Sequence, residues 1–120
     1  MNFVNLTPHP VRLRRNAANK AAEADAGDMV LPSSGSCRVS ANPGEKLGEA
    51  ESVALYARTA YGEIYGLPSP APDTLYIVSV MLVGRVLERE DCFIPGTGPK
   101  DGAIRNSEGQ IFAVTRLVQA

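Results

Sequence analysis

At 120 residues the chain is long enough for one hydrophobic core and short for two, so a single domain over residues 1–120 is expected. With 44% hydrophobic and 21% charged residues and no tryptophan, its composition is that of a globular protein, which excludes disorder throughout. Twelve basic against thirteen acidic side chains give a formal net charge of −1, which excludes the broad positive field that holds a nucleic-acid polymer; any anion site must be local.

Cys37 and Cys92 stand alone, and no charged-then-apolar leader precedes the first strand. A reducing, cytoplasmic setting with free thiols is the expectation. The longest apolar run, residues 75–87, is broken by Ser79, Gly84 and Arg85 and is too short for a bilayer, so no membrane partner is expected.

In chain order, Phe3-Val4-Asn5-Leu6 reads as a strand, ended by Thr7-Pro8-His9-Pro10 because two prolines remove amide donors and restrict the residues before them. Val11-Arg12-Leu13-Arg14 alternates apolar with basic, and the two runs together suggest an edge hairpin. Residues 16–28 lack a helical period and read as a mobile loop or a short helical turn. The basic Arg12, Arg14, Arg15 and Lys20, followed by Glu23, Asp25 and Asp28, read as neighbouring solvated charges.

Residues 29–31 and 37–40 suggest a second hairpin around Pro32-Ser33-Ser34-Gly35, and residues 53–58 and 62–67 a third strand pair after an acidic connection. Three prolines in residues 67–73 make an extended linker. Leu75-Tyr76-Ile77-Val78 has the look of a buried strand, and Ser79 can cap a following helix. In that helix Arg85, Glu88, Arg89 and Cys92 fall on one face, leaving Val80, Met81, Val83 and Leu87 for packing. Residues 91–95 form a returning strand, residues 96–102 a glycine-rich loop, and residues 103–118 a hairpin whose Gly109 sits where a left-handed residue closes the turn. The expected fold is α+β: a strand-rich single domain of antiparallel hairpins with one principal helix.

Zinc binding of the common kind needs four closely spaced ligands and is excluded by two isolated cysteines and one histidine. Triad chemistry would have to pass through His9, and no nucleophile elbow meets it. His9 itself is either ordered by its prolines at a strand end or free to touch a ligand. Gly96-Thr97-Gly98-Pro99-Lys100 lacks Walker spacing but could form an anion nest, the alternative being a surface loop. Arg85 and Arg89, one helical turn apart, and Arg105 after the glycine loop could share a phosphate; Glu88, Glu90 and Asp91 offer the competing reading of an ion-pair network. Among Tyr56, Tyr61, Tyr65 and Tyr76, any could stack on a base, although strand tyrosines are normally core residues with a wet tip.

Asn5-Leu6-Thr7-Pro8-His9, Pro32-Ser33-Ser34-Gly35 with Arg38-Val39, Gly66-Leu67-Pro68, Tyr76-Ile77-Val78-Ser79, Arg89 with Asp91, Pro95, and Arg105 ahead of Gly109 together resemble a group of small proteins of bacteriophages, prophages and actinobacteria. Residues 16–28 and 96–102 depart from that pattern, and ligand or partner specificity is expected to differ there. By analogy of size and type, the resemblance implies a phage counter-defence factor like the anti-Thoeris and anti-CBASS sponges. Such a protein would be a non-enzymatic, cofactor-free homo-oligomer that sequesters a cyclic or ADP-ribose-derived signalling nucleotide. Arg85, Arg89 and Arg105 would hold phosphates, and His9 and Tyr76 the base or ribose. Its first rival is a protein-binding inhibitor or structural phage module acting through the edge hairpin. A nuclease or phosphodiesterase comes last, for want of acidic metal ligands and a second histidine.

Overall fold

The run Leu75-Tyr76-Ile77-Val78 has no polar position, and a strand with no polar face must be covered on both sides. In the computed structural model, which describes all residues Met1–Ala120, that strand is the middle of the molecule. Strand β1 (Asn2–Asn5) pairs in parallel with β8 (Thr74–Ile77), β8 pairs in parallel with β9 (Cys92–Pro95), and β9 pairs antiparallel with β12 (Leu117–Gln119). Alternation then divides the core. Tyr76 and Val78 join Leu6, Cys37, Leu82, Val86 and Cys92 on one face, while Ile77 meets Val11 and Val114 on the other. Burying each of Ile77, Val78, Leu82 and Val86 contributes about 1.5–3 kcal/mol.

The remaining strands form two-stranded ribbons. β2 (Val11–Leu13) pairs antiparallel with β3 (Met29–Leu31), and β10 (Ile104–Arg105) with β11 (Ile111–Ala113). β4 (Arg38–Asn42) pairs with β7 (Ala60–Tyr65), and β5 (Lys46–Ala50) with β6 (Val53–Tyr56). Because the Glu45 carbonyl accepts from the Ala57 amide at 2.8 Å, the last two pairs join into one arm over residues 38–65. The arm stretches the molecule to 54 × 38 × 21 Å with a radius of gyration of 17.4 Å, where a compact chain of this length has about 14 Å.

Three expectations are corrected. The fold is mostly β, not α+β with a principal helix: the only helical element is a 3₁₀ turn at Val80–Leu82. Ser79 does cap it, its Oγ accepting from the Met81 amide at 3.2 Å, but Gly84 then takes φ +76° and three-residue turns replace a helix up to Arg89. β-branched Val80, Val83 and Val86 weaken helix propensity over the same stretch. The inward residues are therefore Leu82 and Val86, whereas Val80, Met81, Val83 and Leu87 are exposed.

The hairpins are also paired differently. β1 and β2 are not partners, nor are β3 and β4, nor β6 and β7. Parallel pairing draws β1 to β8, and the ribbon 38–65 uses the acidic connection as a strand of its own. Of the hairpin expected over residues 103–118, β10 and β11 pair as expected, with Gly109 at φ +80°, whereas residues 117–119 leave it as β12 and pair with β9.

Finally, residues 16–28 are an irregular loop built around a charge. Arg14 is 4% exposed and donates through Nη1 to the carbonyls of Asn19 and Ala21 and through Nη2 to that of Glu23. Its Nε donates to Asp28 at 2.6 Å, and Arg12 Nη1 donates to the same carboxylate at 3.0 Å. Arg14 and Asp28 are therefore not solvated neighbours, whereas Arg15, Lys20 and Glu23 are exposed as expected: one buried guanidinium gathers three loop carbonyls and a carboxylate.

Candidate functional site

Anchoring the loop on Arg14 has a spatial result, because it fixes residues 16–28 beside the glycine loop and β10. Between them lies a cavity of about 540 Å³ whose lining includes Lys20, Arg105 and Arg116. Its volume is within the range of small-molecule sites. None of the three cations forms an ion pair; the pairs of the molecule are Met1–Asp73, Arg12–Asp28, Arg14–Asp28, Lys46–Glu49 and Arg89–Asp91. Arg105 instead donates through Nη1 to the Gly109 carbonyl at 2.8 Å and through Nη2 to the Thr97 carbonyl at 3.4 Å. Those bonds orient the guanidinium without neutralising it. The loops of residues 16–28 and 96–102 thus border one cavity, supplying Lys20 on one side and Gly102 on the other.

The two glycine amides of the expected anion nest, Gly96 and Gly98, are already engaged within the chain. Gly98 N–H donates to Asp101 Oδ2 at 2.9 Å, Gly96 N–H to the Arg116 carbonyl at 2.9 Å, and Thr115 Oγ1 to the Asp101 carbonyl at 3.1 Å. The loop's part is to position the main chain of Arg116 and the wall at Gly102.

A second cavity, about 530 Å³, is bordered by His9, Arg12, Thr97 and Phe112. His9 is exposed there, on a turn held from below by Asn5. Buried Asn5 donates through Nδ2 to the carbonyls of His9 at 2.8 Å and Leu31 at 3.0 Å, and its Oδ1 accepts from the Thr7 amide and hydroxyl. Arg12 lies 5.0 Å above the Phe112 ring, so one ring face is already taken. Thr97 borders this cavity while its carbonyl accepts from Arg105, which links the two cavities through one residue.

The five residues expected from sequence do not form one constellation. Arg89 is neutralised: its Nε and Nη2 both donate to Asp91, at 2.9 and 3.0 Å, which holds the Asp91 carboxyl below the usual carboxylate range and raises the arginine. Tyr76 is buried at 4% exposure, with its hydroxyl donating to the Ser69 carbonyl, and so is a core residue with a satisfied tip. Arg85 lies 3.9 Å above the Tyr61 ring and donates through Nη1 to the Val83 carbonyl, while its buried Nε has no acceptor. It braces the root of the arm. Arg105 is in the basic cavity and His9 in the adjoining one.

Lys20 and Arg116 escaped the sequence reading because only the fold brings them to Arg105 from the two loops and the chain's end. Cys37 and Cys92 are free thiols, both buried; burial pushes Cys37 up and Cys92 to about 11, which makes them poor nucleophiles. No group of three or more His, Cys, Asp or Glu side chains is arranged to hold a metal ion. No helix is long and apolar enough to cross a membrane. Comparison with protein-family models, with curated proteins and with solved structures finds no match.

Proposed function

We propose that the protein captures, without transforming it, a small anion carrying more than one phosphate, of the signalling-nucleotide class. One observation carries this reading: Lys20, Arg105 and Arg116 border a single cavity and form no ion pair with a carboxylate. Three cations around one cavity give it a local positive potential, and a phosphate group, with several acceptor oxygens for guanidinium and ammonium donors, is the ligand type that matches it. Capture needs only donors, whereas turnover needs a base or nucleophile placed against the ligand. The resemblance to small phage and prophage proteins gives the capture a setting, the removal of an immune signal inside the host cell. Of the original arginine trio only Arg105 stays in the site; Lys20 and Arg116 take the places of Arg85 and Arg89.

Isothermal titration with a panel of cyclic and ADP-ribose-derived nucleotides tests the reading. A Lys20→Ala/Arg105→Ala/Arg116→Ala variant should lose at least about 30-fold in affinity, at ~1.4 kcal/mol per factor of ten. Ligand released by heat should elute unchanged. An unaltered affinity in the triple variant removes the site, and a cleaved product replaces capture with catalysis.

The edge-hairpin form of the rival reading needs β1 and β2 to be partners, and they are not. A protein-binding surface would have to lie elsewhere on the molecule.

A further inference from the structure

The cavity of about 530 Å³ has walls that suit a flat apolar ring, since Val80, Pro95, Ile111 and Phe112 border it. Arg12 borders it too, and the fold fixes that side chain. The Arg12 carbonyl accepts from the Val114 amide at 2.9 Å, which lays β2 beside the end of β11 and sets the guanidinium 5.0 Å above the Phe112 ring. Its Nη1 donates to Asp28 Oδ2 at 3.0 Å, and Asp28 is itself held by Arg14 Nε at 2.6 Å. Nε and Nη2, the donors that lie side by side on the other edge of the Arg12 guanidinium, have no partner in the chain, and neither is buried. An oriented two-donor fork therefore stands unengaged at the border of an apolar cavity.

This cavity adjoins the basic one across the β10–β11 ribbon. Arg105 of the basic cavity and Ile111 of this one oppose each other in the strand register, and Thr97 borders this cavity while its carbonyl accepts from Arg105. Residues opposed across a ladder stand about 5 Å apart at Cβ, which is the scale of the ribose between a base and its first phosphate. We infer that the Phe112 cavity is the base subsite of the captured nucleotide and that the base is guanine. Its O6 and N7 accept from Arg12 Nε and Nη2 while the phosphates lie among Lys20, Arg105 and Arg116. This assignment rests on the reading of the basic cavity as a phosphate site.

The fork selects the base. Two side-by-side donors on a flat group need two neighbouring acceptors on one edge of a ring. Guanine presents O6 beside N7, whereas adenine sets its N6 amino donor beside N7 and would face donor with donor. A further phosphate also carries neighbouring acceptors, but Asp28 already offsets the Arg12 charge, and an anion placed against Val80, Pro95 and Ile111 would lose water at a cost that a neutral base avoids.

Isothermal titration of the full chain with GDP, ADP, cyclic di-GMP, cyclic di-AMP and inorganic pyrophosphate tests this. Within each pair that binds, the guanine ligand should be tighter by at least about 10-fold. Arg12→Lys keeps a charge beside Asp28 but not the fork, and should bring the guanine ligand to within about 2-fold of its adenine counterpart while the affinity for pyrophosphate holds. Val80→Trp, at a position 63% exposed, fills the cavity without entering the core; it should weaken the guanine ligand by at least about 10-fold and leave pyrophosphate unaffected. Equal affinities for guanine and adenine ligands overturn the inference, as does a guanine preference that survives Arg12→Lys or a guanine affinity untouched by Val80→Trp. In each of those cases, pyrophosphate binding that depends on Lys20, Arg105 and Arg116 leaves capture intact. Failure of every probe to bind, pyrophosphate included, removes capture and the base subsite together.

Discussion

Arg14 Nε donates to Asp28 at 2.6 Å while the two side chains are 0% and 2% exposed, an ion pair sealed inside a loop that the sequence presents as a solvated surface. The bond with Arg14 lowers the Asp28 carboxyl from its ordinary value of 3.8 to about 2, with the Asp25 amide and Arg12 acting in the same direction. A carboxylate whose folded value lies below its unfolded value stabilises the fold above the unfolded value and loses that contribution as pH falls through the folded one. Asp25 and Asp91 are lowered too, for the same sign of effect. The urea midpoint should therefore stay flat from pH 7 to about 5 and decline between about pH 4 and 2. In Asp28→Asn the acid decline should be shallower and the neutral-pH midpoint lower. Arg14→Leu, which strands the carboxylate and three backbone carbonyls, should lower the melting temperature by on the order of 10 °C at neutral pH.

Asn5 uses both ends of its amide, and this defines the second prediction. Asn5→Ala leaves the Thr7 amide without its acceptor and the Leu31 carbonyl without its side-chain donor, while the Thr7 hydroxyl and the His9 carbonyl keep only each other, at 3.0 Å. The loss should be about 3 kcal/mol by equilibrium urea unfolding, against about 1 kcal/mol for Thr7→Val, which removes one hydroxyl from the same network. Equal losses in the two variants would contradict the placement of Asn5 as the hub.

Two left-handed glycines provide the third. Gly66, at φ +79°, ends the arm, and a Cβ there would stand 2.5 Å from the Ser36 carbonyl oxygen; Gly109, at φ +80°, has open space around it. Both alanine variants bear the left-handed cost of about 1 kcal/mol, but only Gly66→Ala also forces backbone apart. Thermal denaturation should place Gly66→Ala clearly below Gly109→Ala; similar melting temperatures would mean that the arm's root yields.

What the sequence reveals of this fold depends on whether the signal is local. The hairpin at residues 103–113 is readable because Gly109 advertises its conformation, and the strand at Thr74–Ile77 because four apolar residues stand together. The arm is hidden for the opposite reason. Its tip places Glu51 and Ser52 at φ +50° and +65°, the two-residue turn that Asn-Gly normally announces, here made by residues that carry no such mark. Without that mark, β5 reads as an acidic connection and its partner is assigned to the wrong neighbour. The helix expectation failed at Gly84, whose positive φ cannot continue a right-handed helix. The same logic holds at the site. Arg105 could be nominated from its place after a glycine loop, but Lys20 and Arg116 come to it from chain positions 85 and 11 residues away, which no spacing rule connects.

Parallel pairing of β1 with β8 sets an order on events at the ribosome. The first strand emerges with no partner and must remain solvated until residues 74–77 have been synthesised, whereas the arm closes through contacts between near neighbours. A chain whose synthesis has not passed residue 77 therefore cannot form its central sheet, whatever its arm does.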